Sequence, residues 1–212
     1  MYDISYFKAE HPGEVIDFMK AHPFAVLCGC NEKGIPAATH LPLLLEEREN
    51  KLFLQGHSMK KQGHTDAYYQ NPNVLAIFSD AHTYVSASWY ENKQVASTWN
   101  YQAVHVSGHL RFLDEAALHA VLTRITETFE GAGSPSLVKQ LDPGYVKQMM
   151  KSIVAFEIEV NAIEHVFKLS QNRDEQSYKN IISHLQEQDT GAQKIAQIME
   201  EKNKGRFSGK QH

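Results

Sequence analysis

The stretch STWNYQAVHVSGHLRF, residues 97–112, decides the fold class. Val104, Val106, Leu110 and Phe112 fall on one side of an extended chain, and His105, Ser107, His109 and Arg111 on the other, with Gly108 between them. A strict period of two marks a strand with one face in a core and one face outside it. Asp114 follows as an N-cap, and the run to Phe129 reads as a helix that Gly131 and Gly133 terminate.

Working outward, the same short-strand grammar repeats. Phe24 to Cys30 reads as a strand, Asn31 to Gly34 as a turn, and Ile35 to Leu45 as an edge-like strand interrupted by Pro36 and Pro42. Glu46 to Asn50 is a charged turn before a strand from Lys51 to His57, so two hairpins follow in succession. A short helix is expected over Lys60 to Tyr69, then strands at Val74 to Phe78 and Thr83 to Ser88. Earlier, Pro12 opens a helix to about Lys20 with Val15, Phe18 and Met19 on one face. Later, Asp142 and Pro143 start a second short helix. Ile153 to Val160 alternates Val154, Phe156, Ile158 and Val160 against Ala155, Glu157 and Glu159, and this strand is expected to close the sheet. Two helices, about Asp174 to Glu187 and Ala192 to Asn203, end the chain, with a frayed tail from Gly205. Many short strands with few crossover helices favour an antiparallel barrel or sandwich, mainly β or α+β.

The 212 residues are 42% hydrophobic and 22% charged, enough for a substantial core and unlike a disordered chain. A net charge of -4 argues against a strong, direct nucleic-acid binder, which usually carries a basic footprint. Cys28 and Cys30 on one strand face would stand about 6–7 Å apart, at the limit for a disulfide, and are read as buried reduced thiols. Met1 to Ile4 shows neither a basic nor an apolar leader, and no apolar run is long enough to span a membrane, so a cytoplasmic location is expected.

No phosphate loop, dinucleotide fingerprint, nucleophile elbow or zinc-protease motif is present. His105 and His109 share a strand face but stand about 13 Å apart, too far to chelate one ion, so no metal is expected. Lys60 and Lys61, after a strand and before a helix, suit either a phosphate dianion or a solvated basic turn. Thr98 to Tyr101 sets a large aromatic beside hydrogen-bonding groups, as a flavin or base platform does, and as core or subunit packing also does. The polar row from His105 to Arg111 fits a pocket wall, a subunit contact or a solvated face equally. Asp174 to Asn203 carries six acidic residues against three lysines, which suits a packed hairpin better than a recognition helix; basic residues come later, at Lys204, Arg206 and Lys210.

Several blocks, in order, resemble the PaiB family of FMN-binding negative transcriptional regulators: His22-Pro23-Phe24-Ala25, Ala38-Thr39-His40-Leu41-Pro42-Leu43, Gly56-His57, Tyr84-Val85-Ser86, Thr98-Trp99-Asn100-Tyr101 and Phe167-Lys168-Leu169-Ser170-Gln171-Asn172-Arg173. The resemblance spans nearly the whole chain. It implies an antiparallel, Greek-key-type FMN-binding split β-barrel over 1–172 with helical additions, a C-terminal helical hairpin over 173–212, and a homodimer. It also implies repression of degradative-enzyme and sporulation genes, with direct DNA contact unsupported by the charge. Taken with the basic cluster, it assigns Lys60 and Lys61 to FMN phosphate, His57, Thr39 and His40 to ribityl or phosphate oxygens, and Trp99 and Asn100 to the ring system. Gln62-Gly63 stands where the family carries Asn-Pro, which weakens the implied phosphate site. The alternatives are an FMN-dependent reductase or oxidase, although no catalytic residue is identified, and a regulator acting through a partner protein.

Overall fold

The computed structural model describes residues 1–206, with side chains as far as Asn203. In chain order the elements are α1 (Pro12–Ala21), β1 (Phe24–Cys30), β2 (Pro36–Pro42), β3 (Leu44–Arg48), β4 (Lys51–Met59), α2 (Gly63–Gln70) and β5 (Asn73–Val85). They continue with β6 (Thr98–Phe112), α3 (Glu115–Glu130), α4 (Pro143–Met150), β7 (Ile153–Lys168), α5 (Glu175–Gln186) and α6 (Thr190–Arg206). The seven strands form one sheet in the order β2-β1-β5-β6-β7-β4-β3. The pairings β1–β2, β1–β5, β3–β4 and β4–β7 are antiparallel. This is an antiparallel sheet of the kind the alternating stretches favour, in the split-barrel form that the family resemblance implies.

The chain divides into two compact units, one of Met1–Ile16, Ser79–Val104 and Glu164–His212, the other of Asp17–Phe78 and His105–Ile163. The second unit holds most of the barrel. Ala25, Leu27, Leu43, Leu54, Ala76, Phe78, Val106, Phe156 and Ile158 are fully enclosed there. Its sheet curls because the two ends meet. Gly56 on β4 lies so close to Pro42 and Leu43 that an added Cβ would come within 3.1 Å of both. Gly108 on β6 is tighter still, since a Cβ there would sit 2.4 Å from the Glu159 carbonyl oxygen of β7. Outside the sheet, Leu118 and Val121 of α3 and Val146 and Met150 of α4 pack on Ala155.

In the first unit, α5 and α6 form a hairpin whose Tyr178, Ile181, Leu185, Ile195 and Met199 close a core with Val85, Tyr90 and Leu169. Asp174 caps α5 by accepting from the Ser177 N–H at 2.8 Å.

Several boundaries differ from the sequence reading. The strand expected over Ile35 to Leu45 is two strands, split at Leu43 after Pro42. The charged turn shrinks to Glu49 and Asn50, both left-handed (φ 52° and 60°), as a two-residue hairpin requires. The strands read at Val74 and Thr83 are one continuous β5, because the polar residues between them stay extended; Asp80 there is held by Lys194 of α6 at 2.7 Å. β7 continues eight residues past Val160, through the exposed segment 161–164 where the alternation fades. Cys28 and Cys30 are free thiols, half-buried rather than buried. The helix α6 runs to Arg206, so Gly205 and Arg206, expected to fray, are helical; the rest of that tail, with Lys210, lies outside the described residues.

Candidate functional site

In the second unit, β4 delivers a short basic turn to the start of α2. The helix begins at Gly63, three residues later than the sequence reading, so Lys60, Lys61 and Gln62 form the turn itself. Two bonds fasten this corner: Thr65 Oγ1 donates to the Met59 carbonyl at 2.8 Å and shares a 3.1 Å bond with Ser58 Oγ. Gln62, the N-cap residue, makes no side-chain capping bond, so the first N–H groups of α2 have no side-chain acceptor from their cap. Lys60 is anchored, its backbone N–H on the Ser152 carbonyl at 2.9 Å and its Nζ on the Lys151 carbonyl at 3.1 Å. Lys61 is exposed and makes no ion pair among the described residues.

His57 stands on β4 opposite Ala155 of β7. Its Nδ1 is enclosed and has no hydrogen-bond partner among the described residues, and burial pulls its pKa below the ordinary histidine value. Thr39 and His40 are neighbours on β2, and strand alternation sends them to opposite faces. Thr39 pairs with fully buried Leu27 and is half-buried, whereas His40 pairs with Val26 and is exposed, its ring 6.1 Å from that of Phe24. The end of β2 meets β4 at Gly56, beside His57. His57, Lys60 and Lys61 thus follow one another along β4 and its turn, the end of β2 reaches β4 at Gly56, and Thr39 and His40, further back on β2, face opposite sides.

Gln62-Gly63 occupies the N-cap and first helical position. Proline is also favoured at that first position, so glycine keeps the same helix start and adds an N–H. With Gln62 and Gly63 at these positions α2 still starts directly after the basic turn, and nothing lies within 4 Å of where a Gly63 Cβ would be.

In the first unit, Trp99 is 52% exposed and packs edge-on to Tyr84 at 5.9 Å, with His82 also at 5.9 Å. Asn100 points the other way and is fully buried. Its Oδ1 accepts from Ser170 Oγ at 3.0 Å, and its Nδ2 reaches Met199 Sδ at 3.4 Å. The two blocks at Thr98–Tyr101 and Lys168–Arg173 are therefore one structural feature, joined again where Lys168 Nζ meets Thr98 Oγ1. Burial and the nearby Arg173 lower the pKa of Lys168, which also lies over the rings of Phe7 and Tyr2. Arg173 stacks 4.1 Å over the Tyr90 ring.

Sequence reading missed a buried carboxylate in the second unit. Glu157, 1% exposed, accepts from Arg48 at 2.6 Å, Gln55 at 3.2 Å and Arg111 at 2.8 Å. Burial pushes its pKa up, but the bonds from Arg111, Gln55 and Arg48 outweigh that and leave it lowered. Its position in an alternating strand gave it to the outer face; α3 covers that face next to Ala155.

Residues 1–162 match the model of the family described as "Putative FMN-binding domain". The Bacillus subtilis protein named protease synthase and sporulation protein PAI 2 is 36% identical over 206 residues, covering 96% of this chain and 99% of that protein. An uncharacterized protein of Emericella nidulans is 25% identical over 78% of this chain and 81% of its own length. Among solved structures, the flavocytochrome Anf3 of Azotobacter vinelandii superposes with a TM-score of 0.61 at 16% identity, over 84% of this chain and 78% of that one. A FAD and heme binding protein of Mycobacterium smegmatis gives 0.57 at 13% identity, over 76% and 72%. These two likenesses concern the fold alone. With the blocks, the barrel and the family match in agreement, the chain belongs to the PaiB family of FMN-binding-domain proteins.

Proposed function

We propose that this protein is a PaiB-like negative regulator that binds FMN and acts as a cytoplasmic homodimer. The observation that carries the ligand assignment is the corner between β4 and α2. Lys60 and Lys61 directly precede helix N–H groups that lack a side-chain cap, and the enclosed Nδ1 of His57, three residues earlier, has no hydrogen-bond partner among the described residues. That donor set fits a phosphate ester, because charge-assisted bonds and a helix N-terminus both favour a dianion. Lys61 makes no ion pair among the described residues, Lys60 is preset by its bonds to the chain at 151–152, and Thr39 and His57 supply neutral polar groups for ribityl oxygens. His40 is kept as a contact from the outer face. Bound FMN would supply a ring able to accept electrons.

Trp99 and Asn100 belong to the other unit and are proposed separately. Trp99 offers an exposed aromatic face for a ring system or for a second subunit, and the next residue, Asn100, is tied inward to Ser170. The Tyr84–Trp99 pair is the apolar patch we assign to the dimer contact. Residues 1–172 are taken as the barrel domain and 173–212 as its helical extension. Within that extension the helical hairpin from Asp174 to Asn203 carries six acidic residues against three lysines, a balance that favours regulation through a partner or a small molecule over direct DNA contact.

The test is a fluorescence titration of FMN into the purified full chain, run beside a sizing measurement. Saturation near one flavin per subunit is expected, with at least a tenfold loss of affinity in the Lys60→Ala, Lys61→Ala double variant. Unchanged affinity in that variant would overturn the phosphate assignment. Turnover of a nicotinamide donor by the flavin-loaded protein would instead assign it as an oxidoreductase.

A further inference from the structure

β6 carries an inward row of Asn100, Gln102 and Val104. Asn100 and Val104 are fully buried and Gln102 is 6% exposed. The amide of Asn100 is used by Ser170 and Met199, whereas that of Gln102 makes no hydrogen bond among the described residues. The Gln102 amide is not among the sealed-off polar atoms without a partner, so a side chain buried along most of its length keeps its polar end free to bond something outside the strand. Gln102 opens instead into a cavity of about 870 Å³ within the first unit, whose other walls come from the N-terminal segment, Gln171, α5 and α6.

The charges around this cavity are mixed. Lys8 and Lys202 line it as cations, and Glu10, Glu14 and Glu201 as carboxylates. Lys202 pairs with Glu14, and Lys8 with Asp3 at 3.2 Å. Glu10 and Glu201 have no cation partner among the described residues. A simple anion entering here meets three carboxylates, and a simple cation meets two ammonium groups. A molecule carrying both charges satisfies both sets, and the carboxamide of Gln102 can donate to or accept from a polar group between them.

We propose that this cavity is a binding site for a small zwitterion, an α-amino acid or short peptide, with its ammonium towards Glu10 and Glu201, its carboxylate towards Lys8, and a polar group on Gln102. The site is separate from the β4–α2 corner and stands whether or not FMN binds there.

Calorimetric titration of the full chain tests it, using the twenty free amino acids, diglycine and triglycine, with acetate and ethylamine as single-charge controls. At least one zwitterion is expected to bind saturably, and the controls at least a hundredfold more weakly. Blocking either terminus by acetylation or amidation should abolish binding, and comparing free amino acids with the glycine peptides tells the two sources apart. Gln102→Leu and Glu10→Gln should each weaken binding tenfold or more while leaving the FMN titration unchanged. Gln102→Leu should melt at or above the parent temperature, because it removes an unpaired amide from an inward row, whereas a merely structural glutamine would lower it. Glu10 is exposed, so its variant keeps the test decisive if the Leu variant does not fold. Absence of zwitterion binding at millimolar concentration, equal binding by both variants, or equal binding of ethylamine would overturn the proposal.

Discussion

Replacing Asn100 by alanine separates a structural role from a ligand contact. The side chain is fully buried and bonded to Ser170 Oγ at 3.0 Å. Ser170 is itself 1% exposed and holds a left-handed backbone at φ 61°, unusual for a residue with a Cβ. Truncation leaves that hydroxyl enclosed without its acceptor, which costs about 1–3 kcal/mol. It also opens a small cavity worth about 1 kcal/mol. The expected loss is about 2–4 kcal/mol, or roughly 5–15 °C in melting temperature for a chain of this size. Urea unfolding should show a lower midpoint with an unchanged slope. Ser170→Ala should be less damaging than Asn100→Ala, and the double variant should lose less than the sum of the two, since both act on one bond. A loss under about 0.5 kcal/mol together with a fall in FMN affinity would refute the reasoning and make Asn100 a ligand contact.

Two further outcomes follow from the barrel. Gly108→Ala places a Cβ 2.4 Å from a backbone oxygen and 2.5 Å from Ile158 Cγ2, so β6 and β7 must part. Thermal unfolding should show a loss of about 3 kcal/mol or more, whereas Gly63→Ala, with open space around it, should be neutral or stabilising; equal melting of the two would sink the close-approach argument. Glu157→Gln should cost about 1–2 kcal/mol near neutral pH, below the full value of a buried pair because Arg48 and Arg111 are partly exposed. The folded carboxyl titrates below its ordinary 4.5, so its contribution is present above that pH and lost as pH falls through the lower folded value. The gap between parent and variant should therefore narrow only below about pH 4.5, and a gap that is constant down to pH 3 would contradict the assigned partners.

The strand grammar, the helix caps at Asp114 and Asp142, and an antiparallel barrel or sandwich were legible from residue order, because alternation and capping act over a few neighbouring residues; the split barrel came from the family blocks. The basic corner at Lys60 and Lys61 was legible for the same reason, since it joins two adjacent elements. Asn100 shows the other case: its block stood out, yet nothing local says that its partner lies seventy residues away at Ser170. Glu157 reads as an outward residue because the helix that covers it comes from a distant part of the chain. Thr39 and His40 share a motif and part company only once β2 has a core side. Gln102 is an ordinary polar residue until β6 turns it inward over a cavity. Periodicity and end-capping are local and were determined by the sequence alone. Which polar groups are enclosed, paired or left open depends on contacts between remote segments, and only the tertiary structure decided that.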